Sequence, residues 1–241
     1  MGTNRTIRKI LRSKPTIEGA GVHLKRAFGY SEAPLFDPFL LLDDFRSEIP
    51  ELYRKGFPWH PHRGIETITY VLRGQVDHGD SMGNAGRIAS GDVQWMTAGS
   101  GIIHQEMPAG DATGRLAGFQ LWANLPASHK MMSPRYREIN QRQIPEITVD
   151  HGVTVRIISG AVKGTRGPVQ DIITEPEYLD VTVPARTEFV HTTPARHTVL
   201  AYVIEGKACF CHEENPHTGK LVGANYFDIQ REAAMSDGSL V

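Results

Sequence analysis

Apolar and polar positions alternate along this chain in short runs, each closed by glycine, proline or another turn former. The clearest runs are GIETITYVLRG (64–74), GRIASGDVQWMTAG (86–99), GRLAGFQLWANLP (114–126), VTVRIISGAV (153–162), EYLDVTVPA (177–185) and HTVLAYVIEGKACF (197–210). A period of two over so few residues predicts strands, and turn signals at regular intervals predict a barrel or sandwich. No long 3.6-residue period is present. The best helical stretch is short, from Ser133 to Ile139. Two hairpin-like segments share one pattern: Tyr70-Val71-Leu72-Arg73-Gly74 and Tyr202-Val203-Ile204-Glu205-Gly206, 132 positions apart. Their likeness predicts two related β domains. Pro126, Pro134 and Pro145 break the stretch between them. This places an N-terminal domain over 1–135 and a C-terminal one over 136–241.

Composition narrows the class. The 241 residues suit one large β domain or two small ones, and 40% hydrophobic content is enough for a core. With 26 basic and 27 acidic residues the net charge is −1, so no global nucleic-acid or membrane surface is expected. Cys209 and Cys211 are the only cysteines. A disulfide framework is therefore not expected, and a reducing compartment is: the cytoplasm, or the nucleus in a eukaryote. The basic N-terminus lacks the apolar core of a signal peptide, and no apolar run reaches membrane-spanning length. Gly2 and Thr6 fit a myristoylation pattern, but the segment reads as an ordinary first strand with exposed charges.

The candidate chemistry lies in WHPHRGIETITYVL (59–72). His60 and His62 flank Pro61, which favours extended backbone, so both imidazoles point to one face. In GSGIIHQEMP (99–108) His104 and Glu106 repeat the spacing. Two adjacent strands, each turning one pair inward, would assemble a three-histidine, one-carboxylate metal site inside a barrel. Such a donor set suits iron foremost, with copper, manganese, nickel or zinc also compatible. Four ligands leave two octahedral positions open for a substrate. Arg63, Glu66 and Gln105 are candidates to orient the ligands, and Glu66 is an alternative ligand. Phe57, Trp95, Met96 and Met107 either line an apolar pocket or fill the core. Cys209, Cys211, His212 and His217 have poor spacing for zinc and are not expected to bind it.

DPFLLLDDF (37–45), HPHRGIETITYVLRG (60–74), GDVQWMTAGSGIIHQEMP (91–108) and GFQLWANLP (118–126) resemble the pirin family of the cupin superfamily. The resemblance covers most of the first 140 residues in order. It implies an all-β bicupin, two antiparallel jelly-roll barrels stacked face to face, with metal in the N-terminal barrel only. It places the ligands on His60, His62, His104 and Glu106. In the second half, Thr192 and Pro194 stand where the repeat would put the first two histidines, and His191 and His197 have the wrong spacing. Family members continue past NYFDIQREAAMSDGSLV, so the second barrel is expected to be incomplete at Val241. The family includes quercetin dioxygenases. The resemblance therefore implies a flavonol-like aromatic substrate, O₂, and Glu106 as the base. The alternative it implies is a redox-sensitive metal-binding module that regulates a transcription factor or metabolic enzyme by protein–protein contact.

Overall fold

The computed structural model describes residues 4–212, 221–222 and 234–241. It is an all-β fold whose helical content is limited to short 3-10 turns. Chain order begins with β1 (Ile10–Arg12), β2 (Lys14–Glu18), β3 (Val22–Phe28) and β4 (Phe39–Asp44). Then come β5 (Phe57–His62), β6 (Ile65–Arg73), β7 (Gln75–Asp80), β8 (Ala85–Ala89) and β9 (Val93–Thr97). β10 (Ile102–Ala109), β11 (Ala117–Asn124) and β12 (Arg135–Ile139) complete the region that carries the histidines. Beyond it lie β13 (Glu146–Thr148), β14 (Thr154–Ser159), β15 (Ala161–Val162), β16 (Thr165–Arg166) and β17 (Tyr178–Thr182). Four short pieces end the series: β18 (Lys207–Ala208), β19 (Leu221–Val222), β20 (Met235–Ser236) and β21 (Ser239–Leu240).

Two sheets build the site. A seven-stranded sheet runs β12-β9-β6-β11-β4-β3-β2, and a four-stranded one runs β5-β10-β7-β8. Glu106 on β10 reaches Thr69 on β6 and Gln120 on β11, so the inner faces of the two sheets meet. The arrangement is the jelly-roll type expected, with sheets that do not close into barrels.

β6 explains how one sheet serves two cores. It is buried on both faces from Glu66 to Val71. Thr67, Thr69 and Val71 face the four-stranded sheet, as the Thr69–Glu106 bond requires. Ile68 and Tyr70 face the other way and pack with Trp95, Ile139, Ile158, Val169 and Ile172. The second face is therefore covered by the C-terminal part of the chain. Tyr70 donates to Asp180 Oδ2 on β17 at 2.7 Å across that seam. Trp95, a candidate pocket residue, belongs to this seam core.

The Ser133–Ile139 helix expectation fails. Arg135–Ile139 is a strand, paired antiparallel to β9 from Arg135↔Thr97 to Ile139↔Val93. Seven residues with a proline in second place gain little from helix formation. Here they pair with β9 and form the edge strand of the seven-stranded sheet. The first strand, β1, pairs with β19 and β21, and Leu11 and Leu240 share a core with Phe28 and Phe119. Gly74 and Gly206, which close the two copies of the repeated pattern, adopt φ of 81° and 80°. Both positions use the left-handed region that favours glycine. The residue at the myristoylation position, Gly2, lies outside the described residues.

Gly118 on β11 is tightly packed. A Cβ there would lie 2.4 Å from the Phe45 ring and 2.6 Å from the Tyr70 carbonyl oxygen. One neighbour is a buried aromatic ring and the other is backbone, so neither yields easily. Gly118→Ala is expected to lower stability by about 1–3 kcal/mol, read as a lower urea midpoint.

Candidate metal centre

The sheet registers bring the histidines together. β10 pairs with β5 so that His104 lies opposite His60 and Ile102 opposite His62. A bulge between His104 and Glu106 shifts the pairing to Glu106↔Phe57. On β5 and β10 the alternation is the predicted one: His60, His62, His104 and Glu106 turn inward, while Trp59, Pro61 and Ile103 are exposed. Donor atoms of His60, His62 and His104 all lie within 4.8 Å of one another.

The hydrogen-bond pattern fits a metal-binding triad. His60 Nδ1 lies 2.8 Å from the Pro58 carbonyl oxygen, which can only accept, so Nδ1 carries the proton. In the neutral ring this leaves Nε2 with a free lone pair. That Nε2 lies 3.1 Å from His62 Nε2, so the two rings direct their tips at one place. Neither ring nitrogen of His104 has a protein partner, although the side chain is buried. Buried ring nitrogens seldom go without a partner, and a bound cation would satisfy them. Burial, reinforced by the nearby histidines, lowers the His62 pKa to about 4. Burial likewise lowers His104 to about 4 against the opposing pull of Glu106. Neutral imidazoles are the form that binds metal.

Glu106 lies fully inside. Its carboxylate accepts from Thr69 Oγ1 at 2.9 Å and from Gln120 Nε2 at 2.8 Å. Burial alone would raise its pKa, but His104 and these two donors outweigh it and hold the group below the usual carboxylate range. Next to it is a cavity of about 20 Å³, lined by Phe57, Val76, Leu116 and other largely apolar side chains. That is room for about one water, not for an aromatic ligand. Phe57 is thus the candidate pocket residue beside the carboxylate. Met96 is buried with Ala98 and Ile102, and Met107 lies close to Gly56.

The candidate supporting residues are placed elsewhere. Arg63 is exposed and donates to Met131 Sδ at 3.1 Å. Gln105 alternates with its two neighbours and sits outside, near Trp59 and Gly79. Glu66 lies an odd number of positions from Thr69 and so faces the seam, where it accepts from Thr97 Oγ1 at 2.8 Å. Desolvation raises its pKa despite Thr97, Trp95 and two arginines. A carboxyl with a raised folded-state pKa keeps its proton where the unfolded chain has lost it, so stability falls as pH rises. Glu66→Gln removes this dependence. Its urea midpoint is expected to gain on wild type as pH rises above the ordinary carboxylate pKa, where the unfolded chain has lost the proton that the folded protein keeps.

Several residues at the site escaped sequence reasoning. His78 is buried on β7, its Nδ1 2.7 Å from Gln94 Nε2 and its Nε2 3.4 Å from Asp80 Oδ2. Its ring stacks on Tyr136 and lies 5.5 Å from that of His104. Trp122 meets His62 edge-on at 4.9 Å and donates to Gln120 Oε1 at 3.1 Å. The signal was present: His78/Asp80 and Gln120/Trp122 have the same two-residue spacing as the histidine pair. In the C-terminal part, His191 bonds Glu177 and stacks on Phe189, His212 pairs with Glu188 at 2.8 Å, and Cys209 and Cys211 are exposed thiols. His217 lies outside the described residues. No helix among the described residues is long and apolar enough to cross a membrane.

Comparison with known proteins places this geometry. The family model described as Pirin matches residues 21–123. A pirin-like protein of Caulobacter vibrioides is 47% identical over 239 residues, covering 98% of this chain and 86% of the relative. Human pirin is 39% identical over 207 residues, covering 86% and 69%. Among solved structures, a quercetin 2,3-dioxygenase from Acinetobacter baumannii superposes with a TM-score of 0.79 at 28% identity, covering 99% of this chain and 78% of that one. With a histidine triad between jelly-roll sheets and relatives this similar across nearly its whole length, the chain belongs to the pirin family.

Proposed function

We propose that this protein is a metal-dependent flavonol 2,3-dioxygenase of the quercetinase type, opening the central ring of its substrate with O₂. The observation that carries the reading is the convergence of His60, His62 and His104 beside the buried Glu106 carboxylate. The likeness to a solved quercetin 2,3-dioxygenase supports it. His60, His62 and His104 would hold the metal, iron foremost, with Glu106 the candidate fourth ligand. The metal would supply Lewis acidity toward the substrate hydroxyl and a redox partner for O₂.

The protein's own contribution is proton handling and shelter. Glu106, held anionic by Thr69 and Gln120, is ready to accept the flavonol hydroxyl proton at a carboxylate oxygen. The cavity beside Glu106 is too small for a flavonol, so the substrate approaches from the partly exposed side, where His60 and Trp122 lie. Trp122 and His62 offer ring edges there. The test is metal analysis of protein purified without chelators, with O₂ uptake on quercetin before and after metal removal. Uptake no greater than that of free metal, for protein loaded with iron, manganese, nickel or copper, refutes the enzyme.

A second reading, a metal-dependent binding module, is favoured by one observation. Trp59 and Ile103 are 55% and 47% exposed on the outer face of the two strands that carry the histidines. A change in the ligand set would be felt directly on that apolar surface. Binding of a protein partner that depends on the metal's oxidation state, without turnover, supports this reading instead.

A further inference from the structure

We propose that Lys130 is a positioning residue for the metal centre: by holding Gly64, two residues beyond His62, it fixes where β5 delivers both of its histidines. The inference rests on the metal-binding reading of the site and not on flavonol chemistry.

The strand that carries His60 and His62 has little support of its own. β5 is an edge strand of the four-stranded sheet, paired only to β10, and a bulge interrupts that ladder between His104 and Glu106. From Phe57 to Pro61 its residues are exposed or half-buried. Packing therefore does little to fix the strand, and its ends must do more. At the C-terminal end Gly64 turns the chain into β6, with φ of 71° in the left-handed region that favours glycine. Both backbone groups of Gly64 are engaged. Its N–H donates to the Gly99 carbonyl oxygen at 2.8 Å. Its carbonyl oxygen accepts from the Leu125 N–H at 3.2 Å and from Lys130 Nζ at 2.9 Å.

Gly99 belongs to the turn that leads into β10, the strand of His104 and Glu106. The turns beside the two ligand pairs are thus tied to each other and to the segment between β11 and β12. Three successive residues of that segment each grip one of them. Lys130 holds Gly64, Met131 Sδ accepts from Arg63, and the Met132 carbonyl oxygen accepts from the Ser100 N–H at 2.8 Å. A Cβ at Gly99 would collide with that same Met132 oxygen, so the approach is close.

Lys130 is the residue whose chemistry is least expected of a spacer. A lysine ordinarily runs its stem along the surface and keeps its head in water. Here the side chain is half-buried, and Nζ donates both to Gly64 and to Asn124 Oδ1, at 2.6 Å, on the last residue of β11. The stem covers Gly64 as well: a Cβ there would lie 3.4 Å from Lys130 Cγ and Cδ. Hydrogen bonds from an ammonium are stronger than neutral ones. Without them the Gly64 carbonyl keeps only the longer Leu125 bond, and the end of β5 can shift. A site must hold its groups within about 0.5 Å of the productive geometry, so a small shift of two ligands costs metal affinity although no ligand is removed.

Cobalt(II) titration followed by visible absorption, run beside urea unfolding of the metal-free protein, tests this. Lys130→Met keeps the stem and removes the donor. It is expected to weaken Co(II) binding about tenfold, the lower end of the range for groups just outside a metal's ligands, and to change the d–d band pattern. Asn124→Leu releases the second anchor of the lysine and should weaken binding by less. Asn124→Asp keeps an oxygen for the ammonium and should bind cobalt as wild type does. A merely structural role predicts a lower urea midpoint for Lys130→Met with cobalt affinity and spectrum unchanged, and that result overturns the inference while the metal site stands. Should Lys130→Met fail to fold, the Asn124 variants decide: weaker binding by Asn124→Leu alone supports the inference, and wild-type binding by both overturns it. Wild-type protein that takes up no cobalt overturns the inference together with the metal-binding reading.

Discussion

Alanine at His104 is expected to empty the metal centre. Each ring of the triad contributes one neutral donor, and His104 is the one whose two ring nitrogens lack any protein partner. Its deletion removes a ligand that nothing nearby replaces, since His78 is already engaged with Gln94 and Asp80. Groups merely supporting a ligand cost 10–100-fold in metal affinity when changed, so losing the ligand itself should cost more than about a hundredfold. His60→Ala and His62→Ala should behave alike, because their Nε2 atoms meet at 3.1 Å and either loss breaks the set. His197→Ala and His212→Ala are the controls; both residues are exposed, and His212 pairs with Glu188. Metal content after dialysis is the measurement. Stoichiometric metal in the triple variant of His60, His62 and His104 would refute the site.

Glu106→Gln should separate chemistry from binding. The substitution keeps the side chain's size and one oxygen but removes the charge and most of the basicity. If Glu106 takes the flavonol proton, cleavage should slow by about two to four orders of magnitude, with most metal retained on the histidines. The structure adds a condition. Gln120 Nε2 can only donate, so the replacing amide must turn its oxygen there and its N–H to Thr69 Oγ1, whose hydroxyl must rotate from donating to accepting. A modest loss of stability is therefore expected, because two charge-assisted hydrogen bonds become neutral ones. Rates must be compared at equal metal loading, because an empty site would imitate a catalytic defect. Full turnover by loaded Glu106→Gln would remove Glu106 as the base and leave the histidine triad untouched.

Much of the site was legible because a strand has a period of two. His60/His62 and His104/Glu106 share faces by spacing alone, and Pro61 made the extended backbone readable. The turn glycines at 74 and 206 were legible for the same local reason, as their φ values near 80° reflect. Residues whose role depends on the other sheet were not legible. Gln120 reaches Glu106 only because β11 pairs with β6 in the register Gln120↔Thr69, across 51 positions of sequence. Periodicity sets which residues share a face. It does not set which strand lies alongside, or what covers the face.

Glu66 shows the same division. The sequence determines that Glu66 and Thr69 lie on opposite faces of one strand. Only the tertiary structure decides that Thr69's face looks toward Glu106 beside the histidine triad while Glu66's is buried in a seam with Trp95 and Arg135. A sheet with one covered face would have turned Glu66 to water. Here the C-terminal part packs on Ile68 and Tyr70 and leaves the carboxyl dry. The strand at Arg135–Ile139 was likewise settled by a partner, β9, rather than by its own preferences. By itself the chain determined most of its longer strands, its turns and the facing of the His60/His62 and His104/Glu106 pairs, because those follow from local backbone geometry. The packing of distant strands decided which carboxylate stands beside the histidine triad, which lies in the seam, and which side chains hydrogen-bond it, because those depend on contacts that no local pattern encodes.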